Sequence, residues 1–188
     1  MQYPSHRLTL RNGGECLMRS PGGADAAARA EFWKKAYGQT PYLAREAAQS
    51  ASDTERIGEM LEEQLDLPDC VEICAWVDGA LVACGSVGPV SRESRRMHRA
   101  RLGVAVLREY GSLGMGSGIL RALIGEAAKM GYHQVELNVS AENLRARRLY
   151  AHLGFQPMGR IPDALRYADG RYADEIQMFL RLTGDSFG

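Results

Sequence analysis

LGVAVLREYGSLGMGSGILRAL, residues 102–123, reads as a strand that runs into a turn and then into an apolar-faced helix. The turn carries Gly111, Gly114 and Gly116. Glycines let backbone amides point inward and let a ligand approach closely, because no Cβ stands in the way. A helix N-terminus adds unpaired N–H groups and a partial positive charge. Together these suit a bound diphosphate. A bland reading, a mobile strand-to-helix connection, stands beside it. No Gly-Lys-Ser/Thr follows, which excludes a nucleotide P-loop. The glycine order and its place after the fifth strand also disfavour a nicotinamide-binding unit.

Outward from that stretch, the helix over Gly116 to Met130 places Ile119, Leu120, Leu123, Ile124, Ala127 and Ala128 at helical spacing and closes at Gly131. A strand over Gln134 to Val139 turns Val135, Leu137 and Val139 inward, and Glu142 to Leu153 is a further helix. Residues 155–160 and 174–182 are two more strands. Upstream, Met97 to Leu107 is a long strand. Val71 to Val77 and Leu81 to Val87 form a hairpin about Asp78-Gly79. Asn12-Gly13-Gly14 marks a first hairpin between 7–10 and 15–19. Ala24 to Tyr37 is a first helix, YLAREAA a short one, and Asp53 the N-cap of a second long helix. The order is a hairpin, two helices, three strands, helix, strand, helix and two strands. Thr183 to Gly188 is expected to fray.

The chain has 188 residues, 45% apolar and 24% charged, with 23 basic and 23 acidic side chains. This suits one domain, 1–188, with a full core. No global charge points to nucleic acid or to an anionic membrane. No apolar run approaches the roughly 20 residues of a membrane helix, and the N-terminus lacks an apolar signal core, so a cytoplasmic location is expected. Cys16, Cys70, Cys74 and Cys84 include no Cys-x-x-Cys pair and the four His are scattered, so no metal is expected. Cys70 and Cys74 share a face if their segment is a strand, as small core residues.

Residues 140–155, SAENLRARRLYAHLGF, supply a second signature. Asn143, Arg147 and Tyr150 share one helix face. Each also has a structural reading, Asn143 as a helix-start residue and Tyr150 as a half-buried core aromatic. With the turn, at this distance and in this order, the chain resembles the GCN5-related N-acetyltransferase (GNAT) superfamily from about residue 71 to 182. That family's signature is Arg/Gln-x-x-Gly-x-Gly/Ala; here Gly111 stands in the first position, and Gly114 and Gly116 match. The resemblance implies an α/β (α+β) fold: a mixed, twisted, mostly antiparallel sheet with helices on both faces and a splayed central parallel pair. Strands 102–107 and 134–139 would be that pair.

The same resemblance implies acetyl-CoA as cosubstrate and transfer of its acetyl group to a primary amine of a small molecule, an amino-acid-like compound or a protein N-terminus. A catalytically weak CoA-binding sensor of the same fold is the alternative. Val104, Ala105 and Val106 would hold the acetyl carbonyl. Gly111, Ser112, Leu113, Gly114, Met115, Gly116 and Ser117, with Asn143, Arg147 and Tyr150, would bind the cofactor. Tyr150 would protonate the departing thiolate, since a phenol ordinarily ionises near ~10 and a thiol near ~8.5. The base is open: His98, on the strand leading to the cofactor, is the candidate, with Glu46 and Glu136 behind it, each with a solvent-facing reading. A monomer or homodimer is expected. Tyr167, Tyr172, Asp163 and Asp169 would line an amine site or belong to an exposed hairpin.

Overall fold

The computed structural model describes residues 1–43 and 53–182. Its strands and α-helices are β1 (His6–Thr9), β2 (Glu15–Arg19), α1 (Ala26–Gln39), α2 (Thr54–Asp66), β3 (Val71–Val77), β4 (Ala80–Pro89), β5 (Arg99–Val106), α3 (Met115–Lys129), β6 (Gln134–Ser140), α4 (Leu144–His152), β7 (Gln156–Arg166) and β8 (Tyr172–Arg181). The eight strands form one sheet in the order β1-β2-β3-β4-β5-β6-β8-β7. Every junction is antiparallel except β5–β6. A hairpin reverses the chain, whereas the α3 crossover returns it to run parallel. This is the mixed sheet that the resemblance implied. Among the described residues no helix is long and apolar enough to cross a membrane.

Local chemistry accounts for most elements. Asp78 and Gly79 both adopt left-handed φ, +49° and +79°, and so close the β3–β4 hairpin tightly. Asp53 caps α2, its side chain accepting from the Arg56 N–H at 3.1 Å. Ile119, Leu120, Leu123, Ile124 and Ala127 of α3 are all buried, as their spacing predicts, whereas Ala128 is exposed. They join Leu102, Val135, Leu137, Val139, Tyr150 and Phe155 in one core, so α3 and α4 share a face of the sheet. On the other face Phe32 and Ala36 of α1 pack with Cys74, Trp76, Cys84 and Ala105. Strand alternation makes this division: Leu102 faces α3, and Ala105 faces α1.

Several expectations are corrected. β5 begins at Arg99, so Met97 and His98 lie in the exposed turn before it and not on the strand. β7 runs on to Arg166 because it stays paired with β8 as far as Tyr172. Cys74 is partnered by Cys84, directly opposite on β4, with sulfurs 2.8 Å apart. Burial pushes both thiols up, which keeps them protonated. Glu72, Cys74 and Cys84 offer ligand atoms within 4.8 Å of one another, a set of a kind that can hold a metal ion. The Glu72 carboxylate in that set already accepts from Arg29 Nε at 2.8 Å. The short helix expected in YLAREAA, Glu46 within it, and the tail from residue 183 lie outside the described residues.

Candidate active site

β5 and β6 register at three positions, Arg99↔Gln134, Ala100↔Val135 and Arg101↔Glu136, and then part. Each keeps its other neighbour: β5 follows β4 to Val106, and β6 follows β8 to Ser140. Hydrogen bonds from Leu107 N–H to Val82 O and from Val90 N–H to Arg99 O show that the odd residues of β5 point their peptide groups at β4. The even ones, Leu102, Val104 and Val106, point the other way, where β6 no longer pairs. Leu182 N–H to His133 O fixes the corresponding parity of β6, leaving Asn138 and Ser140 toward the same opening. The gap is therefore lined on both sides by backbone donors and acceptors. Of the three residues expected to hold an acyl carbonyl, Val104 and Val106 present their N–H groups to the gap, and Ala105 presents its own to β4.

The turn follows at the open end. Gly114 sits at φ +91° as the N-cap of α3, and no side chain caps that helix. A left-handed backbone costs an L side chain roughly 1–2 kcal/mol, so the position favours glycine. Ser112 accepts the same region at φ +69°. The N–H groups ahead of Gly118, whose N–H bonds Gly114 O at 3.0 Å, belong to the set that a helix start leaves without intrahelical partners. Met115 is buried, and Leu113 packs beside the core. A side-chain carbon at Gly116 would lie 3.6 Å from Val106 and 3.7 Å from Leu149. Gly116 thus faces β5 and α4 with room for one more carbon at ordinary contact distance.

On α4, Asn143 is the N-cap, its side-chain oxygen accepting from the Ala146 N–H at 3.1 Å. Arg147 donates to the Ala141 carbonyl at 3.0 Å, which ties the helix start to the end of β6. Tyr150 is buried and meets Phe155 edge-on at 5.9 Å between centroids. Burial pushes its phenol up to about 12.

The chain matches the family model described as "Acetyltransferase (GNAT) family" over residues 30–155. The chain belongs to the GNAT acetyltransferase family. Solved structures carry the same fold. A GNAT acetyltransferase from Streptococcus pneumoniae is 21% identical with a TM-score of 0.84, covering 89% of this chain and 99% of that one. A ribosomal-protein-alanine N-acetyltransferase from Brucella melitensis is 25% identical with a TM-score of 0.77, covering 88% and 99%. A phosphinothricin acetyltransferase from Sinorhizobium meliloti, in complex with acetyl-CoA, is 16% identical with a TM-score of 0.79, covering 95% and 91%. No curated protein sequence matches the chain.

In this GNAT chain the two candidate bases among the described residues, His98 and Glu136, do not converge on the gap. His98 is exposed at the closed end of the β5–β6 pair, edge-on to His133 at 6.2 Å, with the His133 N–H bonded to its carbonyl. Counting about 3.3 Å per residue, it is roughly 20 Å along the strand from Val104. Glu136 is buried, not solvent-facing. Burial alone would raise its carboxyl, but hydrogen bonds from Arg99 and Gln134 prevail and hold it below the ordinary carboxylate range. The other end of β6 holds one of the four residues that the sequence offered for an amine site or an exposed hairpin. Tyr167 is buried there, its hydroxyl 3.2 Å from both Ser140 Oγ and Glu142 Oε2. Asp169 pairs with Arg171 at 2.8 Å, and Asp163 and Tyr172 are exposed. Tyr167 thus leaves the group of four that the hairpin reading had kept together.

Proposed function

We propose that the chain transfers the acetyl group of acetyl-CoA to a primary amine by direct attack. The observation that carries this reading is the gap between β5 and β6, which opens toward the uncapped start of α3. Its free peptide groups suit an extended, amide-bearing arm, and the α3 amides suit a diphosphate. Gly111 to Ser117 supply the turn, and Asn143 and Arg147 fix the neighbouring helix start. The Val104 or Val106 N–H would stabilise the oxyanion as a neutral amine attacks the thioester carbonyl. The C–N bond forms as the C–S bond breaks, the amine loses one proton, and the thiolate gains one.

Tyr150 is the acid in this scheme. A phenol held up to about 12 stays protonated at any working pH. It would donate a hydrogen bond to the sulfur as charge develops there, and the proton lost by the amine restores the balance. The acceptor is a small molecule, an amino-acid-like compound or a protein N-terminus. A panel of amines incubated with acetyl-CoA, with thiol release followed, tests the reading. Amine-dependent release is expected. Tight acetyl-CoA binding with no release for any amine would support the alternative, a binding module.

A further inference from the structure

We propose that Arg145, on the first turn of α4, supplies the cationic side chain that the cofactor turn itself lacks, and that it contacts the diphosphate of the acyl-CoA. This rests on the reading of the gap and turn as the acetyl-CoA site. Position 111 carries no side chain. The volume that one would take is filled instead: its first carbon would lie 2.9 Å from Arg145 Nη2 and 3.0 Å from Nη1. The guanidinium is therefore seated on the turn, although it arrives from another helix. Nη2 also donates to Ser112 Oγ at 3.2 Å, and Ser112 holds the left-handed backbone that shapes the turn.

The charge on Arg145 is otherwise unspent. Among the described residues it forms no ion pair, whereas Arg99, Arg160 and Arg171 each hold a carboxylate. It touches Gly111 and Ser112, the residues that lead into the uncapped N-terminus of α3, whose dipole also favours an anion. A planar fork of donors matches two phosphate oxygens better than a single-point ammonium does. Gly111 and Arg145 then form a reciprocal pair: the glycine makes room, and the arginine fills it. Arg11, whose side chain lies 3.6 Å from where a Gly114 side chain would begin, is a second nearby cation and provides the comparison.

The test is titration of CoA and of dephospho-CoA, which keeps the diphosphate and lacks the 3′-phosphate, into wild type, Arg145→Ala, Arg145→Lys and Arg11→Ala at low and high salt. Thermal unfolding without ligand verifies that each variant is folded. Arg145→Ala is expected to lose about ten-fold in affinity for both ligands at low salt and less at high salt. Lys should recover part of the loss. Unchanged affinity in folded Arg145→Ala overturns the proposal. So does a loss confined to CoA, which would assign Arg145 to the 3′-phosphate. A loss independent of salt, or one shown by Arg11→Ala alone, overturns it too. Failure of wild type to bind either ligand would instead overturn the acetyl-CoA reading itself.

Discussion

Arg99 of β5 and Glu136 of β6 are joined by two hydrogen bonds across the short stretch where these parallel strands register. The pair sits at the closed end of the splay, so it holds together the strands whose separation forms the gap. Glu136 is nearly sealed from solvent, and Arg99 is about one-third exposed.

Removing Arg99 leaves a buried carboxylate without its counter-charge. Arg99→Ala should cost about 3 kcal/mol, or roughly 6–12 °C in Tm. Glu136→Gln, which also removes the charge, should cost less. Because the folded Glu136 carboxyl is depressed, its contribution is present above its unfolded pKa and is lost as pH falls through the folded value. Denaturant melts of the three proteins at neutral and acid pH measure this. Equal stability of Arg99→Ala and wild type would contradict the clamp.

Tyr150→Phe keeps the ring that packs on Phe155 and deletes the hydroxyl. If the hydroxyl acts on the departing sulfur, the loss falls mainly on kcat, by about 10²–10⁴-fold, with acetyl-CoA affinity little changed. Steady-state kinetics corrected for folded fraction decide the matter, after product release is excluded as the slow step. A kcat within a factor of about three of wild type removes Tyr150 from the chemistry.

Gly114 and Gly116 should behave differently. Gly114→Ala forces a side chain into φ +91° and should destabilise the turn by roughly 1–2 kcal/mol, weakening CoA binding with it. Gly116→Ala adds a carbon at ordinary contact distance from Val106 and Leu149 and should be close to neutral. Calorimetric titration of both variants provides the comparison, and equal losses would mean that backbone handedness is not what position 114 contributes.

Alkaline stability carries the signature of the buried phenols. Tyr132 and Tyr150 are each raised to about 12, chiefly by burial, whereas an unfolded tyrosine ionises near ~10. Their contribution is complete below about pH 10 and is lost as pH rises toward about 12, because the unfolded chain releases those protons first. The denaturation midpoint should fall between about pH 8 and pH 11, and less steeply in Tyr150→Phe. A midpoint flat over that range in wild type would refute the sign.

What the sequence determined by itself is local. Asp78-Gly79, the Asp53 cap, the apolar stripe of α3 and the strand–turn–helix about Gly114 are each specified within a few residues by turn chemistry and periodicity, and all were legible. The family signature was legible for the same reason, being two contiguous motifs. What only the tertiary structure decided is which distant groups meet. Parity within β5 was readable, but which strand each parity faces depends on the neighbours, so the opposite directions of the Val104 and Ala105 peptide groups were not. Glu136 alternates like a surface residue, and the Arg99 opposite it becomes visible only through the register of the parallel pair. Arg145 looks like one more basic residue in NLRARR until α4 packs beside the turn and brings it over Gly111. Cys74 finds Cys84 rather than Cys70 because strand pairing, not spacing, chooses its neighbour.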